Sequence, residues 1–141
     1  MSKFILDTNA LISIIENKNQ KMLKRLNEAI LVPDDISTTV LNYYEFLRGL
    51  NATTNTKHRK DLKKYMDKII TVINTINSED ADRAAGIYQN IQKKNKVGKR
   101  KTPPSDVDII MAAIALSVGA TIVSHDGDFF LMGVKVQNWE D

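Results

Sequence analysis

Apolar residues gather in two short runs near the ends of the chain, Phe4-Ile5-Leu6 and Ala120-Thr121-Ile122-Val123-Ser124, each followed closely by an aspartate, Asp7 and Asp126. Short apolar runs bounded by polar residues predict strands buried on both faces, as in parallel sheets. Between them the spacing turns helical. Ala10 to Glu16 predicts a short helix, broken by Asn17, Lys18 and Asn19, and a second helix carries Met22, Leu23, Leu26, Ala29 and Ile30 on one face. Pro33, Asp34 and Asp35 make a turn into a β-branched strand over Ile36 to Val40. Leu41 to Leu50 predicts a helix that stops near Gly49, and Asn51 to Thr56 a polar linker. Leu62, Tyr65, Met66, Ile69 and Ile70 form the apolar stripe of the next helix, and Val72 and Ile73 a short strand. Ser78, before Glu79 and Asp80, is the expected cap of a helix showing Ala81, Ala84, Ala85, Tyr88 and Ile91. Lys93 to Pro104 reads as a charged loop. Ser105 then caps a helix that is apolar all round from Ile109 to Leu116, which marks it as central, and Gly119 ends it. Val134 to Val136 adds a short edge strand. Strands alternating with helices, without repeats, predict a three-layer α/β/α fold with a mostly parallel central sheet.

Length changes this picture little, since 141 residues fit one domain spanning 1–141. No apolar stretch reaches membrane-spanning length and no signal-peptide pattern opens the chain, so the expected location is the cytoplasm, with no membrane partner. Cysteine is absent and only His58 and His125 supply imidazole, which excludes thiolate sites and disfavours a zinc centre. A net charge of +3 is a weak pointer to a polyanionic partner, and the position of the cations matters more. Lys93, Lys94, Lys96, Lys99, Arg100 and Lys101 crowd the segment before the central helix, where Lys99, Arg100 and Lys101 are candidates for contact with the phosphates of such a partner.

The acids carry the chemistry. Asp7 and Asp126 follow strands, and Glu45 and Asp108 lie near expected helix starts, so an open parallel sheet would deliver all four to its carboxyl edge. Each has an ordinary local explanation. Asp7 can cap the next helix, Glu45 and Asp108 stand three residues after Asn42 and Ser105 as in capping boxes, and Asp126-Gly127 is a common turn pair. Helix caps do not need to converge, however, and carboxylates crowded together resist ionising unless a cation neutralises them. With oxygen as the only donor type in quantity, Mg2+ or Mn2+ is the expected metal. Such a cluster suits a metal-dependent nuclease, with Asp7, Glu45, Asp108 and Asp126 as catalytic and metal-binding residues and water as nucleophile. Asp128 would replace or assist Asp126 as a further ligand, whereas Asp106 is expected to serve the helix dipole. Thr8, Asn9 and Ser124 are expected to orient the carboxylates from behind.

Four segments resemble the PIN-domain ribonucleases, and within them the VapC toxins of toxin-antitoxin pairs. They are Ile5-Leu6-Asp7-Thr8-Asn9, Tyr44-Glu45-Phe46-Leu47-Arg48-Gly49, Asp108-Ile109-Ile110-Met111-Ala112-Ala113-Ile114-Ala115 and Val123-Ser124-His125-Asp126-Gly127-Asp128-Phe129, in family order and spanning nearly the whole chain. The resemblance implies a PIN-like fold, Mg2+- or Mn2+-dependent endoribonuclease activity, homodimerisation, and silencing by a cognate VapB-like antitoxin. By position it implies Asp7, Glu45, Asp108 and Asp126 as the acidic set, with Asp128 as a fifth. Ser124 stands where Thr is more usual, which keeps the hydroxyl, and the segment from Lys93 to Pro104 is more basic than the family pattern requires. Three alternatives stay open: a PIN-like RNA-processing nuclease without an antitoxin, a catalytically inactive binding module, and a phosphatase of the haloacid-dehalogenase kind. The last would need a second Asp two positions after Asp7, where this chain has Asn9.

Overall fold

Phe4, Ile5 and Leu6 are all buried because they form the middle of the sheet. The computed structural model describes residues 2–16, 18–53, 55–73, 75–97 and 104–141. Along the chain run β1 (Lys3–Leu6), α1 (Thr8–Ile15), α2 (Gln20–Leu31), β2 (Asp35–Thr39), α3 (Val40–Thr53), α4 (Thr56–Ile69), β3 (Thr71–Ile73), α5 (Ser78–Val97), α6 (Asp106–Val118), β4 (Thr121–Val123), a 3-10 helix (Gly127–Met132) and β5 (Val136–Gln137). The strands pair in the order β3-β2-β1-β4-β5, every pair parallel. Alternation along β1 splits the core in two. Phe4 and Leu6 pack with residues of α1 to α4, including Leu11, Leu26, Phe46 and Met66, on one face. Ile5 packs with Ile91 of α5, Met111 and Ile114 of α6, and Phe129 on the other. The result is the expected three-layer α/β/α arrangement, with a sheet that is wholly parallel.

Order matters for function. From β1 the chain steps outward through β2 and β3, then returns to β4 on the other side of β1, so the connections leave β1 and β4 in opposite directions. Parallel strands diverging in this way leave a crevice at their carboxyl ends. Phe4 pairs with Thr121 and Leu6 with Val123, and the Asp7 amide continues the ladder to the Val123 carbonyl at 3.1 Å. Asp7 and Ser124 therefore sit side by side at that crevice.

Several sequence expectations need correction. Val40 begins α3 instead of ending β2, and α3 passes through Gly49 to Thr53. Leu50 is buried in the core beyond Gly49, and that packing outweighs the roughly 1 kcal/mol that glycine costs inside a helix. The linker expected over Asn51 to Thr56 shrinks accordingly, with Asn55 capping α4 through the His58 amide at 2.9 Å. On α5 the buried stripe is Ala84, Ile87 and Ile91, whereas Ala81, Ala85 and Tyr88 are exposed. Both sets have helical spacing, so periodicity alone could not choose between them; packing against α6 did. Ile30 and Tyr65, both expected on apolar faces, likewise face solvent. Lys93 and Lys94 belong to α5, not to a loop, and Lys94 Nζ donates to the Leu131 carbonyl at 3.4 Å. The strand expected over Val134 to Val136 occupies Val136–Gln137. Asn17, Lys99, Arg100 and Lys101 lie outside the described residues. Among the described residues no helix is long and apolar enough to cross a membrane.

The cap of α5 also moves by one position. Asn77 Oδ1 accepts from the Asp80 amide at 2.9 Å, and Asp80 Oδ2 accepts from the Asn77 amide at 3.2 Å, a reciprocal capping box. Replacing Asn77 with Ala is expected to cost about 1 kcal/mol and Ser78→Ala much less. Urea denaturation of the two variants checks this, and equal losses would return the cap to Ser78.

Candidate metal centre at the carboxyl edge of the sheet

Each acid arrives by a different local device. Asp7 leaves β1 and caps α1, its Oδ1 accepting from the Ala10 amide at 2.8 Å. Asp108 lies in the first turn of α6, where Ser105 Oγ accepts its amide at 3.2 Å. Asp126 caps the 3-10 helix through the Asp128 amide at 2.9 Å, and its own amide donates to Ser124 Oγ at 2.9 Å. Glu45 lies in the second turn of α3 and makes no capping box with Asn42. Because α3 starts at Val40, Thr39 is the capping residue, and its hydroxyl accepts from the Asn42 amide at 3.2 Å. Glu45 Oε1 instead accepts the Thr8 hydroxyl at 2.6 Å. The helix caps and the acid cluster are thus compatible, since three of the four acids perform or adjoin a cap while their carboxylates face one cleft.

That cleft encloses ≈ 480 Å³ and is lined by Asp7, Thr8, Asn9, Glu45, Ser105, Asp108, His125, Asp126 and Gly127. Sequence reasoning anticipated six of these residues as site or supporting groups and assigned Ser105 only a capping role. Asp128 is not among the lining residues, and Asp106 is exposed away from them. Of the expected orienting residues, Thr8 holds Glu45, Ser124 holds Asp7 and the Asp126 amide, and Asn9 lines the cleft. His125 was missed, although its place between Ser124 and Asp126 was a usable signal. Its Nδ1 stands 3.4 Å from Glu140 Oε2, which ties the cleft to the segment after β5. Trp139, next to Glu140, is anchored edge-on against Phe4 of β1 with ring centroids 5.2 Å apart. Asn42 and Thr39 were also missed as supports of the site, and no sequence pattern marks them.

Electrostatics records the crowding. Burial raises the Asp7 carboxyl above its usual range, with Asp126 adding to the rise and the Ser124 hydroxyl, the Ala10 amide and His125 opposing it. Asp108 is pushed up to about 6, first by burial and then by Asp126, Asp7 and Glu45, against a lowering hydrogen bond from Ser105. Among the described residues no three His, Asp or Glu side chains draw together into a closed cation-binding group. Mutually repelling carboxylates are expected to stand apart without a counter-charge. The donor set itself, all hard oxygen and partly desolvated, fits Mg2+ or Mn2+.

A family model described as the PIN domain matches residues 4–135. No sequence among the curated proteins matches significantly. Three solved structures show the same fold over nearly the whole chain. A chain of VapBC2 from Rickettsia felis, bound to a DNA fragment from its promoter, has a TM-score of 0.82 at 14% identity, covering 97% of this chain and 98% of that one. DNA-bound VapBC from Salmonella typhimurium gives 0.80 at 21%, with 99% of each chain covered. The sarcin-ricin loop cleaving toxin VapC20 from Mycobacterium tuberculosis gives 0.62 at 17%, covering 93% and 95%.

The pKa shifts make stability in metal-free buffer depend on pH in a defined direction. A carboxyl whose folded pKa lies above its unfolded value adds stability below the unfolded value of 3.8, and that contribution is lost as pH rises through the folded value of about 6. Asp108→Asn mimics the protonated form. It is expected to be more stable than the wild type at pH 7.5 by on the order of 1 kcal/mol, the solvent-facing part of the cleft reducing the full effect. That advantage should shrink as pH falls below the folded value of about 6 and close only near the unfolded value of 3.8. Urea midpoints in chelator from about pH 3.5 to about pH 8, which brackets the transition, read it, and a pH-independent difference would contradict the raised Asp108.

Proposed function

The chain belongs to the PIN-domain family, and from that premise we propose that it is a Mg2+- or Mn2+-dependent endoribonuclease of the VapC kind, the toxin of a toxin-antitoxin pair. The observation that carries this reading is the convergence of Asp7, Glu45, Asp108 and Asp126, from four separate elements, on one cleft at the β1/β4 divergence. The fold shared with VapBC complexes and with a sarcin-ricin loop cleaving VapC supports it. In this reading Asp7 and Asp108 hold the cation, with Glu45 and Asp126 completing the oxygen set directly or through water. Asp128, outside the cleft lining, is a supporting acid at most. Bound there, the cation would supply Lewis-acid stabilisation of charge on the scissile phosphate and a lowered pKa for water.

The chain's own residues do the positioning. The Ala10 amide and the Ser124 hydroxyl both hold the Asp7 carboxylate. The first turn of α6 presents positive dipole to Asp108, which favours its ionised form against the burial that opposes it. Thr8 aims Glu45, and Ser124 holds the start of the 3-10 helix so that Asp126 faces the cleft. Hydrolysis then joins water to phosphorus and breaks one P–O ester bond. RNA carries its phosphates past an acidic cleft, so cations outside the cleft must supply the attraction. In this reading Lys99, Arg100 and Lys101, seven to nine positions before Asp108 in the sequence, are the phosphate-contacting group. A VapB-like antitoxin would silence the site by placing an Arg or Lys among the acids, a charge-assisted contact open to any carboxylate cluster. Homodimerisation and a cytoplasmic location complete the proposal.

Asp7→Asn and Asp108→Asn are each expected to lower RNA cleavage about 100-fold or more. Saturating Mn2+ should raise the melting temperature of the wild type and scarcely that of Asp7→Asn. Cleavage near the wild-type rate in both variants, or equal Mn2+ shifts in Asp7→Asn and wild type, would overturn the assignment.

Changing Lys99, Arg100 and Lys101 together to Ala should weaken RNA binding and flatten the slope of log affinity against log salt by about 0.7 for each phosphate no longer neutralised. Affinity measured for a single-stranded RNA over a salt series, in chelator, checks this. An unchanged slope would leave those cations as plain solvated surface.

A further inference from the structure

Glu45 reaches the cleft with one carboxylate oxygen held by Thr8, and the hydrogen bonds do not stop there. Asn42 Nδ2 donates to Thr8 Oγ1 at 3.0 Å, and the Thr39 hydroxyl donates to Asn42 Oδ1. Thr39 and Asn42 are 0% and 1% exposed, and neither lines the cleft. The chain Thr39–Asn42–Thr8–Glu45 therefore starts in the buried end of β2, passes through α3 and the first turn of α1, and returns to α3 at the cleft.

Donor and acceptor capacity leaves this chain one direction. An ionised Glu45 can only accept, so Thr8 must give it its single hydroxyl proton. Thr8 Oγ1 can then only accept from Asn42, which forces the amide NH2 of Asn42 toward Thr8 and its carbonyl oxygen toward Thr39. The Thr39 hydroxyl proton satisfies that oxygen, while its lone pair takes the Asn42 backbone N–H at 3.2 Å. Turning the Asn42 amide over would leave two acceptors competing for the one Thr8 proton, a buried mismatch of the kind that folded proteins avoid.

We propose that Thr39 and Asn42 are positioning residues that act through Thr8 to fix the direction of the Glu45 carboxylate for cation binding. The proposal rests on the reading of Glu45 as part of the cation site. It extends that reading to two buried residues which touch neither cation nor substrate. Outer hydrogen-bond partners of metal ligands typically carry a 10- to 100-fold effect on affinity. Because Thr39 is separated from Glu45 by two intervening side chains, its effect should fall at the lower end of that range.

The test is Mn2+ binding by calorimetry in the absence of RNA, at a temperature where circular dichroism shows each variant folded. Thr39→Val removes the hydroxyl with little change of shape and should weaken Mn2+ binding about 10-fold. Thr39→Ser, which keeps the hydroxyl, should restore it. Asn42→Ala should weaken it at least as much. In a Glu45→Gln background, itself weakened, Thr39→Val should add no further loss, because the chain no longer ends on a ligand. A general structural role would instead cost the same with or without Glu45. If Glu45→Gln weakens binding but Thr39→Val and Asn42→Ala do not, the positioning chain is overturned and the cation site stands. If Glu45→Gln leaves Mn2+ affinity unchanged, Glu45 is no ligand and both readings fall.

Discussion

Carboxylates that repel one another must be held together by something stronger than their mutual repulsion, and in this protein the sheet does it. β1 lies at the centre with both faces buried, and its ladder to β4 sets Asp7 beside Ser124 through backbone hydrogen bonds that do not depend on the acids at all. The crevice is therefore a by-product of topology: the chain leaves β1 to one side and β4 to the other. Core packing on the two faces then fixes α1, α3 and α6 around it, and with them Asp7, Glu45 and Asp108. The cost of burying these acids, and after it of crowding them, appears in the raised Asp7 and Asp108 carboxyls. Local stability is given up where a cation would restore it.

Caps offset part of this cost. Ionised acids at helix starts are favoured by the free amides and the dipole there, and Asp7, Asp108 and Asp126 all exploit that position. Glu45 lies too far into α3 to benefit, so it is supported by hydroxyl and amide groups instead. The two kinds of support differ in how they fail. A cap is local and survives small shifts of the fold, whereas the Thr39–Asn42–Thr8 chain requires β2, α3 and α1 to stay in register. Ser124 combines the two kinds, holding the Asp126 amide two positions on and reaching Asp7 across the neighbouring strand ends. Its serine hydroxyl provides there what threonine would.

Among strands and helices, sequence was a good guide where burial was total and a poor one where a helix was only partly covered. The β1 and β4 runs and α6 were legible because burial there is nearly complete: on α6 Ile109 and Met111 to Ala115 are buried, Ile110 is half-buried, and only the end of the helix, at Leu116 and Val118, reaches solvent against expectation. On α5 two interleaved stripes, Ala81-Ala85-Tyr88 and Ala84-Ile87-Ile91, satisfy the same periodicity, and packing against α6 and the 3-10 helix selected the second. Gly49 shows the same limit at a helix end. Its intrinsic preference to stop α3 was real but small beside the burial of Leu50.

By itself the sequence determined the alternating α/β pattern and the four acids in order, because strand-end and helix-start positions are encoded within a few residues of each acid. Ser105 before Asp108 and the polar break after Leu6 are signals of that local kind. Tertiary structure decided which acids share the cleft and which do not: Asp128 lies two positions from Asp126, yet it is not among the lining residues, because the 3-10 helix turns between them. It also decided the roles of His125 with Glu140 and of Thr39 with Asn42 and Thr8. The Thr8–Asn42 and His125–Glu140 contacts join residues 34 and 15 positions apart. Hydrogen-bond partners at such separations are chosen by where the strands and helices meet, and no spacing along the chain can announce them.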